Sequence, residues 1–265
     1  MLALRHFTIM VACMDLMYPV AGALTGFVVG LTGVGGGALM TPMLLLMFGV
    51  APTAAVATDL WFATFTKITA MLIHHREQQV EWAVVRRLWA GSLPGAGIVI
   101  FALWMGRLTH LNSKFLTSTI GVVILITAVG LFAKRWLRPK PIQTQHRRLQ
   151  VPITILSGLI LGVLVAFTSV GAGALGSIVL LYLYPGITPN KLIGSDIAHA
   201  IPLALLAGLG YLAAGQVNFH ILAGLLIGSI PAAILGSILA TRSSHTKLRL
   251  CLVAVLSISG VKLIT

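Results

Sequence analysis

The chain has 265 residues, of which 58% are hydrophobic and only 9% charged, with a formal net charge of +13. A soluble domain carries roughly a quarter charged residues, so this composition excludes one, and apolar runs filling the chain almost from end to end exclude a lone anchor. The basic excess does not point to nucleic acid either: the 18 Lys and Arg sit mostly between apolar runs, where they report orientation across a bilayer, and no basic, aromatic-interleaved surface is left over.

Apolar runs are predicted at Leu16 to Gly33, Gly37 to Val50, Thr53 to Ile73, Val84 to Met105 and Phe115 to Ala133. A second set follows at Val151 to Thr168, Ala172 to Pro185, Leu192 to Ala214, Phe219 to Ala240 and Leu248 to Ile264. The last three of each set approach the roughly 20 residues of a spanning helix, and the first two are expected to be shorter, the second especially a half-helix. The N-terminal stretch loosely imitates a signal peptide, but Asp15 interrupts it and no small-residue cleavage site follows, so it is kept in the mature chain. Between the sets lies Lys134 to Gln150, with six Lys or Arg and two Pro, expected to be a solvated cytoplasmic linker. The expected organisation is therefore transmembrane repeat 1 over 1–133, linker over 134–150 and transmembrane repeat 2 over 151–265.

The two halves repeat each other. TGVGGGAL at Thr32 to Leu39 returns as TSVGAGAL at Thr168 to Leu175, with six of the eight positions identical. Beyond one inserted residue, Pro52 meets Pro189, Thr58 meets Ser195 and Asp59 meets Asp196. Gln79-Val80 then meets Gln216-Val217, and Gly91-Ser92-x-Pro94 meets Gly228-Ser229-x-Pro231. Each glycine cluster interrupts apolar sequence, and irregular backbone survives in hydrocarbon only where it lines a cavity or is buried in protein. Paired interruptions at matching places in two halves point to a transporter's binding site.

Charge counting addresses topology. With the linker placed inside, parallel repeats put 11 Lys or Arg inside and 6 outside; inverted repeats, in which each glycine-broken pair is a hairpin returning to its starting side, give 13 against 4. The bias favours inversion. The expected fold is an all-α polytopic membrane protein of two inverted repeats, each a glycine-broken short-helix hairpin followed by three transmembrane helices.

Only five acidic residues occur, and two of them, Asp59 and Asp196, hold equivalent positions about two turns into an apolar segment. A carboxylate there costs about 2.5 to 3.5 kcal/mol on insertion scales, so it faces a cavity or a partner. The pair reads either as a proton relay and organiser of a site, or as two satisfied carboxyls fixing the packing of the repeats. Lys67 is the only Lys or Arg more than three residues from either end of a predicted span and lies eight residues after Asp59, on a flank of its helix face. It either binds an anionic substrate or neutralises an aspartate; its repeat equivalent is Ala204, so any role breaks the two-fold symmetry. His199 shares the face of Asp196 three positions on, as a proton carrier or a packing residue. The glycine breaks at Gly35-Gly36-Gly37 and Gly171-x-Gly173 can present helix N-terminal amides to an anion, although close helix packing uses glycine too. Pro94 and Pro231 mark kinks. Cys13 and Cys251 are too few and too far apart for a disulfide framework, no His or Cys spacing supports a metal site, and no cofactor is implied.

In this order and duplication, GLTGVGGGALMTPMLLL with the later ATDL, and VGAGALGS with GSDIAHAIPLALLAGLGYLAAGQVNF and GSIPAAILGS, resemble the TauE/SafE family of sulfite exporters and sulfonate uptake permeases across nearly the whole chain. The resemblance implies a multi-pass carrier of small sulfur-containing or organic anions in the bacterial inner membrane, with proton coupling in some members. On the matching positions it places Gly33, Gly35, Gly36, Gly37, Thr58, Asp59, Gly171, Gly173, Ser195 and Asp196 along the pathway. Asp59 and Asp196 depart from the Asn or Ser that many members carry there.

The residues together lead to the expectation of a secondary transporter that binds a small anion between the two glycine-broken hairpins. Hairpin amides and Lys67 supply positive potential, Thr58 and Ser195 donate hydrogen bonds, and Asp59, Asp196 and His199 exchange protons. A passive anion channel, a cation or metal carrier and a membrane-embedded enzyme are the competing readings, the last without any H-E-x-x-H or paired Ser and His motif.

Overall fold

The computed structural model describes residues 2–32, 37–76, 80–106, 112–133, 147–171, 173–240 and 246–265, and every regular element among them is an α-helix. The first half holds α1 (Leu2–Thr32), α2 (Gly37–Leu46), α3 (Pro52–Arg76), α4 (Trp82–Trp104) and α5 (Ser113–Ala133). The second holds α6 (Arg147–Thr168), α7 (Ala174–Leu183), α8 (Pro189–Ala213), α9 (Phe219–Ala240) and α10 (Thr246–Ile264). Five of these, α4, α5, α6, α8 and α9, are long and apolar enough to cross a bilayer. The chain thus has the build of a polytopic membrane protein, in which helices satisfy every backbone group within the segment. Side chains follow the same rule, with the buried hydroxyls of Thr25, Thr66 and Thr127 each donating to the carbonyl four residues back. Phe101, Val129, Ile227 and Ile258 stand 65–70% exposed on the outer surface, where hydrocarbon is the solvent that fits them.

Two sequence expectations change here. Only the second member of each hairpin is short, at 10 residues for both α2 and α7. The first is not: α1 has 31 residues, because nothing from Leu2 to Asp15 is a Gly or Pro and the helix continues back through that polar-apolar stretch. Likewise α6 begins at Arg147, inside the expected linker, and 134–146 lie outside the described residues.

The helices pair across the halves. α1 packs along α9, and the repeat-equivalent pair α6 and α4 packs in the same way; α3 lies against α8, and α5 against α10. Glycines permit the two long cross-half contacts. A Cβ on Gly22 or Gly26 of α1 would run into the backbone of Leu225 or Ser229 on α9, and one on Gly158 or Gly162 of α6 into Leu88 or Ser92 on α4. Small residues four apart bring backbones together where lipid offers no hydrophobic drive for association.

Three polar contacts gather one end of the molecule. Lys191 Nζ, at the start of α8, pairs with Glu81 Oε2 before α4 at 3.2 Å; Gln150 Nε2 near the start of α6 donates to the Leu183 carbonyl at the end of α7 at 2.6 Å; and Arg87 Nη1 of α4 donates to the Tyr184 hydroxyl at 3.1 Å. At the other end of α3, the Tyr18 ring of α1 meets Phe48 of the α2–α3 turn at 4.8 Å and His220 at the start of α9 at 6.2 Å. The α6–α7 hairpin therefore starts and finishes on the side where the α3–α4 turn lies.

Candidate functional site

The two half-helices begin deep inside the molecule, and the central helices α3 and α8 carry the ionisable groups to them. Asp59 on α3 and Asp196 on α8 are 0% and 1% exposed, Lys67 is 2% exposed and His199 is fully enclosed. Thr41 Oγ1, in α2, donates to Asp59 Oδ2 at 2.6 Å. A Cβ on Gly37, the first residue of α2, would stand 3.0 Å from that same oxygen and would run into the backbone carbonyl of Ser169. The second break thus lies directly against the start of the first half-helix. In α7, a Cβ on Gly176 would run into Asp196 Oδ1, so that carboxyl rests on the first turn of the second half-helix. The Lys67 ammonium lies within electrostatic reach of both carboxyls and of His199.

The chain through the second break is strained. Ser169 has φ of 58°, in the left-handed region that disfavours a side chain, followed by Gly171 at 115°. The repeat equivalent of Ser169 is Gly33, so a residue that tolerates this backbone is within the repeat's own repertoire. What serine adds is a hydroxyl, placed beside the Asp59 carboxyl. Among the described residues Asp59 Oδ1 has no hydrogen-bond partner.

Of the residues expected from the sequence, Asp59, Lys67, Asp196 and Gly37 come together at this centre. Gly173 caps the start of α7, and Gly171 shapes the turn before it. Gly33, Gly35 and Gly36 lie outside the described residues. His199 points its Nε2 to Ser92 Oγ on α4 at 2.9 Å, while its carbonyl accepts from Trp89 Nε1 at 3.1 Å. Thr41, Ser92, Ser169 and Gly176 were not singled out by sequence reasoning. Thr41 and Ser177 do occupy equivalent repeat positions, and that shared hydroxyl was the available signal.

Thr58 and Ser195 take a different arrangement from the expected substrate donors. The backbone N–H of Asn218, just before α9, donates to Thr58 Oγ1 at 3.2 Å, and that of Glu81, just before α4, donates to Ser195 Oγ at 2.8 Å. Under the repeat, Glu81 corresponds to Asn218 and Ser195 to Thr58, so each half ties down the aspartate-bearing helix of the other. Losing one acceptor removes a part-buried hydrogen bond, worth about 0.5 to 1.5 kcal/mol. Thr58→Val and Ser195→Ala are each expected to lower the thermal midpoint of the detergent-solubilised protein by several degrees; unchanged midpoints would show that the ties are dispensable.

A polytopic helical bundle with two interrupted hairpins closing on buried, oppositely charged side chains defines a membrane transporter. The sulfite exporter TauE/SafE family model matches residues 18–263, and the chain belongs to that family. It is similar to a probable membrane transporter, YjnA, of Bacillus subtilis, with 36% identity over 92% of this chain and 97% of that protein. A probable membrane transporter of Xylella fastidiosa is 32% identical over 86% of this chain and 85% of its own length, and Bacillus subtilis YdhB, also described as a probable membrane transporter, is 24% identical over 81% and 85%. No solved structure matches the chain.

Proposed function

We propose that the protein is a proton-coupled secondary transporter for a small oxyanion, such as sulfite, a sulfonate or a similar organic anion, in the bacterial inner membrane. The observation that carries this reading is the convergence of both half-helix starts, from opposite halves, on a buried cluster holding one ammonium and two carboxyl groups. Helix N-termini and Lys67 attract an anion. With both aspartates ionised the three groups sum to a single negative charge, which repels the cargo; protonation of the carboxyls reverses the sign. Anion entry therefore goes together with proton uptake, and the two move as a unit.

An inverted arrangement of the repeats fits this function, because alternating access follows from exchanging equivalent conformations of two halves. The Lys191–Glu81 pair supports it, since parallel repeats would put Lys191 and the α3–α4 turn on opposite sides. The linker end of the molecule is then cytoplasmic. Thr58 and Ser195 serve first as ties, and their hydroxyl protons face the pathway when a tie opens. His199 relays protons through Ser92.

In proteoliposomes with an imposed pH gradient, wild-type protein is expected to accumulate sulfite or methanesulfonate saturably with proton movement. Asp59→Asn and Asp196→Asn are expected to reduce that coupled flux to background while eluting as folded protein. Full coupled flux in both variants would leave the carboxyls a packing role only, whereas non-saturable flux without protons would identify a passive channel.

A further inference from the structure

We infer that the two aspartates are internal occupants of the anion subsites: the carboxyls of Asp59 and Asp196 sit on the starts of α2 and α7, and a cargo oxyanion takes the place of one of them during transport. This rests on the anion-carrier reading and adds where the cargo's oxygens bind. Both half-helices have 10 residues, enough for an N-terminal turn that favours negative charge. At α2 the carboxyl of Asp59 lies against Gly37 and accepts from Thr41; at α7 the carboxyl of Asp196 lies against Gly176. Beside Gly37 the Asp59 carboxyl shares the space with the Ser169 carbonyl, and beside Gly176 the nearest atoms are all those of the Asp196 carboxyl.

Asp59 fills its place imperfectly. Among the described residues its Oδ1 makes no hydrogen bond, and the Ser169 hydroxyl, 5% exposed, lies beside the carboxyl without closing one. A buried hydroxyl and a buried acceptor left unpaired each weaken the internal contact. A ligand with three oxygens on one centre, as in sulfite or a sulfonate, offers Thr41 and Ser169 an acceptor each. Lys67, which interacts electrostatically with both carboxyls, offers its positive charge to whichever anion fills the subsite.

The test is sulfite binding to purified, detergent-solubilised protein by calorimetry at one fixed pH. A carboxylate at a helix start is held by about 0.3 to 2 kcal/mol, so converting it to an amide is expected to tighten sulfite binding up to about tenfold in Asp59→Asn and Asp196→Asn. Independently of any variant, infrared difference spectra of the wild-type protein with and without sulfite are expected to show altered aspartate carboxyl bands. Unchanged or weaker binding in both variants, or sulfite binding that leaves the carboxyl bands untouched, would overturn the inference while leaving the carrier intact. Failure of sulfite, methanesulfonate and acetate alike to bind any form would overturn the anion-carrier reading itself.

Discussion

Lys67→Met is expected to lower coupled anion flux in proteoliposomes by at least about a hundredfold and to destabilise the solubilised protein. Lys67 is 2% exposed and interacts electrostatically with both Asp59 and Asp196. Removing a buried cation leaves the two carboxyls less compensated, and the small margin of a typical folding free energy makes that loss visible. The stability loss and the transport loss have different origins and are separable. Pairing Lys67→Met with Asp196→Asn removes one of the stranded carboxylates, so thermal stability is expected to recover substantially, but flux is not, because the positive potential that attracts the anion is still missing. Wild-type flux in Lys67→Met would sink the role given to this ammonium. Recovery of both properties in the double variant would reduce it to a structural counter-charge.

Gly37→Ala is the second large effect. The added Cβ would enter the space of the Ser169 carbonyl, a backbone atom that cannot rotate away, and would also press on the Asp59 carboxyl. The start of α2 and the second break must then separate, with an overpacking cost of about 1 to 3 kcal/mol. Because those two segments are the walls of the site, flux is expected to fall to background even where the protein still folds. Gly97→Ala in α4 is the control: nothing lies within 4 Å of a Cβ there, and alanine favours helix, so stability and flux are expected to stay at or above the wild-type level. A Gly37→Ala protein that transports normally would show that the two breaks can part without consequence.

Much of the site was legible in the sequence because charge is scarce in apolar surroundings. Asp59, Asp196 and Lys67 stand out by the bare cost of placing them in hydrocarbon, and the glycine clusters by their duplication. Thr41 was hidden for the opposite reason: a threonine within an apolar helix ordinarily donates to the carbonyl four residues back, as Thr25 and Thr66 do, and only the approach of α3 turns its hydroxyl to Asp59 instead. Ser169 was hidden because its value lies in a backbone angle. The half-helices were readable from the length of their runs, but the reach of α1 back to Leu2 was not, since hydropathy falls away before the helix does. The small-residue ladder Gly22, Gly26 and Gly30 announces a close helix contact without naming the partner, and many helices of this chain are apolar enough to be it.

That partner, α9, has a consequence for biogenesis. α1 leaves the ribosome well before α9 and waits for it before meeting the surface its glycines are shaped for, whereas α6 finds its own groove on the already inserted α4. Insertion therefore runs ahead of assembly: for most of synthesis α1 stands in the bilayer with its notched face against lipid or an insertase, and a nascent chain arrested before Phe219 is a natural substrate for membrane quality control. Expressed as separate polypeptides, the two halves would have to find each other to complete either long seam, and co-expression rather than sequential addition is the way to rebuild the carrier from fragments.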